Sequence, residues 1–324
     1  MTTNSARSPK TLKTIKPAPL RTGQTIAVIS PAGPAEDSRL DAGLRELERW
    51  GYRIKMGDHA RGRHAYLSAR DASRLEDLIQ AFADPQVRAI LCSRGGYGSG
   101  RLLAAVPYQK IARNPKIFVG FSDLTAFNWA LYARARLISF TGPLVCEIGE
   151  GLPELTIRSF LELVSPAKPP DPLWRGNWQV IRRGRAVGPL FPGCLSLIVT
   201  LLGTRYLPNL TGGILLLEDL DEKPYQVDRM LVHLKNAGIF DKIAGIVIGR
   251  LTDCWPKTNR GQHLELAEVL LELTASHRIP IYAGIPYGHH PERLTLPVGV
   301  RVELSEKGGL RLLEDPLNRR TMRH

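Results

Sequence analysis

Nowhere does the chain carry an apolar run of about 18 residues, so no helical membrane span is expected. Cysteine is scarce. Cys92, Cys146, Cys194 and Cys254 are far apart and form no Cys-x-x-Cys pair, which argues against a zinc site or a disulfide framework and fits a reducing compartment. Acidic residues are outnumbered, 31 against 44 basic, leaving a formal charge of +13. That balance could serve nucleic acid or an anionic substrate. The excess is spread along the chain, however, with small clusters in the N-terminal segment, at Arg182–Arg185 and at Asn318-Arg319-Arg320. No aromatic-interleaved basic patch accompanies them, so they read as solvated surface charge and no nucleic-acid partner is expected. The opening MTTNSARSPKTLKTIKPAPLRTGQ lacks the apolar core of a secretory signal. Being acid-free and rich in Ser, Thr and Lys, it could mimic a transit peptide, but residues 1–22 read better as a disordered basic tail.

What remains is ample material for a folded core: 324 residues, 43% hydrophobic and 23% charged, enough for one large or two ordinary domains. Thr25–Ser30 is a β-branched run closed by Pro31-Ala32-Gly33-Pro34, a buried strand and loop. Asp37–Trp50 and Asp71–Ala83 have apolar residues at helical spacing, with Tyr52–Met56 a strand between them. Ile117–Gly120 reads as a strand and Asp123–Leu131 as a helix capped by Ser122 or Asp123; Leu137–Phe140 is one more strand. This alternation predicts an α/β domain on a parallel sheet over residues 23–164, with function beyond the carboxyl ends of its strands. Residues 165–182 are proline-dense and aperiodic, a linker. Beyond it, 183–324 predicts a mixed α/β domain with a β-rich core: strands at Gly184–Phe191, Gly212–Glu218 and Ile243–Ile248, helices at Leu195–Leu202, Val227–Asn236 and His263–Ser276, and a terminal hairpin through Glu306–Gly309.

The densest signal is Val87–Val106, in which a short apolar strand gives way to Gly95-Gly96-Tyr97-Gly98-Ser99-Gly100 and then to helical spacing. As a phosphate loop it fails: one form lacks its lysine, the other has Arg101 where a glycine belongs. A nucleophile elbow presenting Ser99 fits better, although Gly98 directly precedes the serine. The alternative is a tight turn with Ser99 as a helix cap. A serine needs a base, and the base an orienting group. Ile214–Asp219 ends an apolar strand on Glu218 and Asp219, where a buried charge requires a partner; a plain ion pair to Arg229 or Lys223 is the alternative. His289 and His290 follow Ile285-Pro286-Tyr287-Gly288 on a loop, with neither His-Glu-x-x-His nor cysteine nearby to suggest a metal.

Five motifs then occur in an order that resembles the LD-carboxypeptidases, serine peptidases that include the microcin C immunity peptidases: SRGGYGSGRLL, GFSDLTA, LLLEDL, DRMLVHLKNAG and GIPYGHHPERLTLPVG. The resemblance runs from about Thr25 to Glu314. It implies a triad of Ser99, Glu218 and His289, with His289 preferred to His290 because the family's base directly follows the glycine and precedes Leu-Pro-x-Gly at a fixed distance. It further implies an oxyanion hole at Gly96 and Gly100, and a cytoplasmic, commonly dimeric enzyme that releases terminal D-alanine from murein tetrapeptides at an L–D bond. Arg94 and Arg101 are candidates for the substrate carboxylate. Neither a cofactor nor a metal is implied. Hydrolysis of aminoacyl- or peptidyl-nucleotides is the alternative within the family, and nucleotide or nucleic-acid binding without catalysis the alternative outside it. One departure is that Pro192-Gly193-Cys194-Leu195 stands where the family usually has Gly-Gly-Asn-Leu.

Overall fold

Burial and β-branching make Thr25–Ile29 an inner strand of the first sheet. In this computed structural model, which describes residues 13–255 and 263–319, it is β1. There follow α1 (Asp37–Arg49), β2 (Arg53–Met56), α2 (Asp71–Ala83), β3 (Val87–Cys92), a 3-10 turn at Ser99–Leu102 and α3 (Tyr108–Arg113). Then come β4 (Ile117–Gly120), a 3-10 turn at Ser122–Leu124, α4 (Thr125–Ala130), a π-helical segment at Leu131–Ala135, β5 (Phe140–Thr141), α5 (Val145–Gly149) and α6 (Glu154–Val164). The helix expected over Asp123–Leu131 is thus three short segments. The one expected after Ser99 is a single 3-10 turn, the glycines before it leaving too little chain with helical preference.

The second half supplies β6 (Gln179–Arg182), β7 (Arg185–Cys194), α7 (Leu195–Thr200), β8 (Ile214–Leu220), α8 (Pro224–Asn236) and β9 (Gly245–Thr252). It continues with α9 (Leu266–Leu273), β10 (Ile281–Ala283), β11 (Leu296–Pro297), β12 (Arg301–Ser305) and β13 (Gly309–Leu312). Strands β7, β8, β9 and β10 run parallel, so their side chains are covered on both faces and read as continuous apolar runs. The terminal hairpin β12–β13 extends that sheet by antiparallel pairing to β7.

Three features of the chain depart from the sequence expectation. The first sheet has the order β11-β5-β4-β3-β1-β2, and its edge strand β11 comes from the C-terminal half, pairing antiparallel with β5. The last residues of the expected linker are β6, the edge of the second sheet beside β10. Trp174 joins Leu310 through a backbone bridge as well, so the proline-dense segment is pinned rather than free. Part of the expected disordered tail is also packed: Ile15 bridges Leu137 and Leu20 is buried, while residues 1–12 lie outside the described residues.

The layers meet where α4 lies against β7. Trp129 donates its indole N–H to the Pro192 carbonyl at 2.9 Å, and Cys194 N–H reaches Thr125 Oγ1 at 3.1 Å. A Cβ on Gly193 would come within 2.5 Å of Thr125 Cγ2, so only glycine allows this approach. The carboxyl ends of β4 and β8 are thereby brought together across the seam.

Candidate active site

Three side chains from separate elements meet at that seam. The buried strand β4 ends at Gly120, and the chain turns so sharply that a Cβ there would sit 2.6 Å from Leu124 Cβ. Phe121 is extended, and Ser122 is then forced to φ +61°, a left-handed conformation that costs a non-glycine residue about 1–3 kcal/mol. The strain lifts Ser122 out of the core: it is half-buried, whereas Asp123 and Leu124 beside it are fully enclosed.

Glu218 comes from β8, whose apolar sequence carries it into the interior at 0% exposure. Burial pushes its carboxyl above the usual glutamate range, opposed by the hydrogen bond from His289. His289 stands on the loop after β10. Gly288 before it has φ +137°, and a Cβ there would meet the Arg250 carbonyl at 2.9 Å; Thr252 Oγ1 holds the His289 carbonyl at 2.9 Å.

The His289 Nδ1 lies 2.7 Å from Glu218 Oε2, and its Nε2 lies 2.9 Å from Ser122 Oγ. A carboxylate can only accept, so Nδ1 carries the proton and Nε2 of the neutral ring accepts from the Ser122 hydroxyl. The imidazole, 20% exposed, packs on Phe121 with ring centroids 4.8 Å apart. The other face of this corner is the guanidinium of Arg293, 4.4 Å from the Phe121 centroid. Arg293 also bonds Glu147 and the His290 carbonyl, and is 3% exposed. A cavity of about 350 Å3 opens beside His289, lined in part by Glu147, Glu150, Leu152, His290 and Arg293.

The arrangement therefore joins Glu218 and His289 as the sequence suggests, but to Ser122 and not to Ser99. Ser99 is 0% exposed; its hydroxyl donates to the Asp123 carbonyl at 2.8 Å, and its N–H to Asp123 Oδ2 at 2.8 Å. It is neither accessible nor paired with the histidine. The glycine turn still touches the site through Gly95, where a Cβ would stand 3.1 Å from Ser122 Cβ and 3.4 Å from its Oγ. Gly96, at φ +102°, packs on Gly33. Gly100 is exposed, with nothing within 4 Å of where a Cβ would be, and is not packed on Ser122 as Gly95 is.

Arg101 is spoken for by Asp71, and Arg94 reaches the Pro34 carbonyl at 3.1 Å. Asp219 does not pair with Arg229 or Lys223; it takes the Ser196 N–H at 2.6 Å and the Cys194 thiol at 3.3 Å. His290 Nδ1 accepts the Glu292 N–H at 3.1 Å. Cys194 pairs in register with Glu218, and burial, reinforced by that carboxylate and Asp219, holds its thiol well above the usual range. Ser122, Asp123, Phe121 and Arg293 were thus missed as a group. The signal was Gly120-Phe121-Ser122 at the end of a fully buried strand, a Gly-x-Ser elbow without its second glycine.

Residues 26–142 match the family model described as "LD-carboxypeptidase N-terminal domain", and 187–304 match "LD-carboxypeptidase C-terminal domain". Among curated relatives, a probable murein peptide carboxypeptidase of Bacillus subtilis is 35% identical over 90% of this chain and 91% of its own. A solved muramoyltetrapeptide carboxypeptidase of Oxalobacter formigenes is 32% identical, with a TM-score of 0.78 over 89% of this chain and 97% of that one. A microcin C7 self-immunity protein, solved with aspartyl sulfamoyl adenosine, is 28% identical, with a TM-score of 0.84 over 94% of this chain and 100% of that one.

Proposed function

Since the chain belongs to the LD-carboxypeptidase family, we propose that it is a serine peptidase acting through Ser122, His289 and Glu218, and that it releases terminal D-alanine from murein tetrapeptides. The observation that carries this reading is the continuous path from Glu218 Oε2 through the imidazole to Ser122 Oγ, at 2.7 and 2.9 Å. His289 takes the Ser122 proton as the oxygen attacks the carbonyl before D-alanine. Glu218 holds the ring in the required tautomer and stabilises its protonated form. The tetrahedral oxygen is received by the Asp123 N–H, the residue after the nucleophile, and by an N–H of the Gly95-Gly96 turn; one such donor contributes about 3 kcal/mol. Protonated His289 then donates to the amine of D-alanine, which leaves, and water activated by the same ring hydrolyses the acyl-serine.

A cytoplasmic, homodimeric enzyme belongs to the same reading. No described helix is long and apolar enough to cross a membrane. A second reading, cleavage of an aminoacyl- or peptidyl-nucleotide amide, is favoured by the TM-score of 0.84 to the microcin C7 self-immunity protein. Incubation with a murein tetrapeptide and, separately, with an aminoacyl sulfamoyl nucleoside decides between them. D-alanine release supports the first reading. Cleavage of the nucleoside alone would replace it with the second, and turnover of neither would remove both.

A further inference from the structure

Ser99 donates to Asp123 twice, once from its side chain to the backbone and once from its backbone to the side chain. The Ser99 hydroxyl donates to the Asp123 carbonyl and the Asp123 carboxylate accepts the Ser99 N–H, both at 2.8 Å and both fully enclosed. This fixes the side chain and the carbonyl of the residue that follows the strained Ser122. The turn bearing Ser99 is itself anchored. Arg74, 2% exposed, donates to the Gly98 carbonyl at 2.9 Å and also bonds the Pro31 carbonyl, while its other nitrogen reaches Asp71 at 2.6 Å. Gly98 has φ +128°, and a Cβ there would strike Leu67 at 2.4 Å and Arg74 at 2.9 Å, so the turn fits around the guanidinium only as glycine.

A left-handed serine persists only where its surroundings over-determine it. The flanks of Ser122 meet that requirement through Gly95 on one side and the doubly bonded Asp123 on the other. We propose that Ser99 and Asp123 form a positioning pair, anchored by Arg74, that holds the Asp123 N–H and the Ser122 hydroxyl in their reactive orientation. The glycine-rich turn is then a brace for the neighbouring elbow and contributes no nucleophile. Its effect falls on the step at which the oxyanion forms, because a donor must already be aimed when the charge develops. This inference rests on Ser122 being the nucleophile.

The test compares wild type, Ser99→Ala, Ser99→Thr and Asp123→Asn. Readouts are the labelling rate of Ser122 by a fluorophosphonate, kcat and KM for a murein tetrapeptide, affinity for a peptide boronic acid, and the thermal transition. Ser99→Ala is expected to lower kcat about tenfold with KM within about twofold, and to weaken boronate binding and slow labelling in parallel. Ser99→Thr, which retains the hydroxyl, restores most of the loss, and Asp123→Asn loses kcat severalfold. Equal labelling rates and equal kcat in wild type and Ser99→Ala would overturn the brace while leaving the nucleophile intact. Absence of labelling at Ser122 in wild type would instead remove the catalytic reading beneath it. If Ser99→Ala loses its folding transition, Asp123→Asn decides: an unchanged kcat there overturns the proposal and a severalfold loss supports it.

Discussion

Ser122 Oγ lies 2.9 Å from His289 Nε2 although the two residues belong to different halves of the chain. The relationship depends on the seam at which Gly193 lets β7 approach Thr125 closely, so the geometry of the hydroxyl is a property of how the two sheets pack. Replacing Ser122 with alanine leaves that packing untouched and removes the reacting atom. Ser122→Ala is expected to lower D-alanine release by about 10^4-fold or more, with a thermal transition within a few degrees of wild type. Activity within tenfold of wild type would exclude Ser122 as nucleophile.

Much of this arrangement was legible in the chain. Buried apolar runs marked β1, β4 and β8, and the buried charge at the end of β8 correctly demanded a partner, which is His289. The choice of serine was not legible from glycine density. Four glycines around Tyr97 and Ser99 indicate an unusual backbone, but Gly95, Gly96 and Gly98 serve the Gly33 and Arg74 contacts; the left-handed residue that matters is Ser122, which has no glycine after it. Local pattern made Ser122 or Asp123 a helix cap, and a cap and an elbow share the same strand-to-helix signature. Long-range pairing was equally hidden. β11 is two residues long and gains its place only by pairing with β5, and β6 lies in a segment whose prolines concealed its edge position.

Gly95 tests how tightly the proposed nucleophile Ser122 is enclosed. Its φ lies outside the left-handed region, so alanine is tolerated by the backbone, yet the added methyl would stand 3.1 Å from Ser122 Cβ. A displacement of a few tenths of an ångström at the reacting oxygen is enough to matter. Gly95→Ala is expected to lower kcat/KM about 10- to 100-fold while the folding transition moves little. Steady-state kinetics beside thermal melting checks this, and unchanged kinetics would mean that Ser122 is not confined by the turn.

Arg293 braces the histidine side. Its guanidinium lies on Phe121, whose ring also carries His289, and it bonds both Glu147 and the His290 carbonyl. Arg293→Met preserves bulk but leaves Glu147 without its cation. The expected loss is about 1–2 kcal/mol in urea unfolding, since removing the buried cation leaves the half-buried Glu147 with only the Leu144 N–H as partner. The double variant Arg293→Met/Glu147→Gln should recover a measurable part of that loss; no recovery would show that packing on Phe121, and not the ion pair, is the larger contribution.

Glu218→Gln separates charge from shape. The amide can still accept or donate, but it neither fixes the Nδ1–H tautomer nor stabilises a protonated ring. A loss of about 10^4-fold in kcat with a native fold is the expected outcome, by analogy with removal of the orienting carboxylate in serine peptidases generally. A loss below tenfold would make Glu218 a structural partner of His289 only.

Asp123 poses the sharpest test of whether the elbow is built for function at the expense of stability. Burial raises its carboxyl above the ordinary 3.8, and the bonds from Ser99 and Gly98 only partly offset that. With the folded value above the unfolded one, the folded chain binds more protons in the window between them. Its contribution to stability is therefore fully present below about pH 4 and is lost as pH rises through the raised folded value. Asparagine leaves the Ser99 N–H only a weaker, uncharged acceptor and does not titrate. The stability of Asp123→Asn relative to wild type should thus grow as pH rises from about 4, levelling off only above the raised folded value, even as the variant loses activity. Unfolding curves across that range measure the difference directly. A constant difference with pH would mean that the folded and unfolded values coincide. A variant that is both more stable and less active would show that a buried carboxylate is kept beside Ser122 because it aims the backbone.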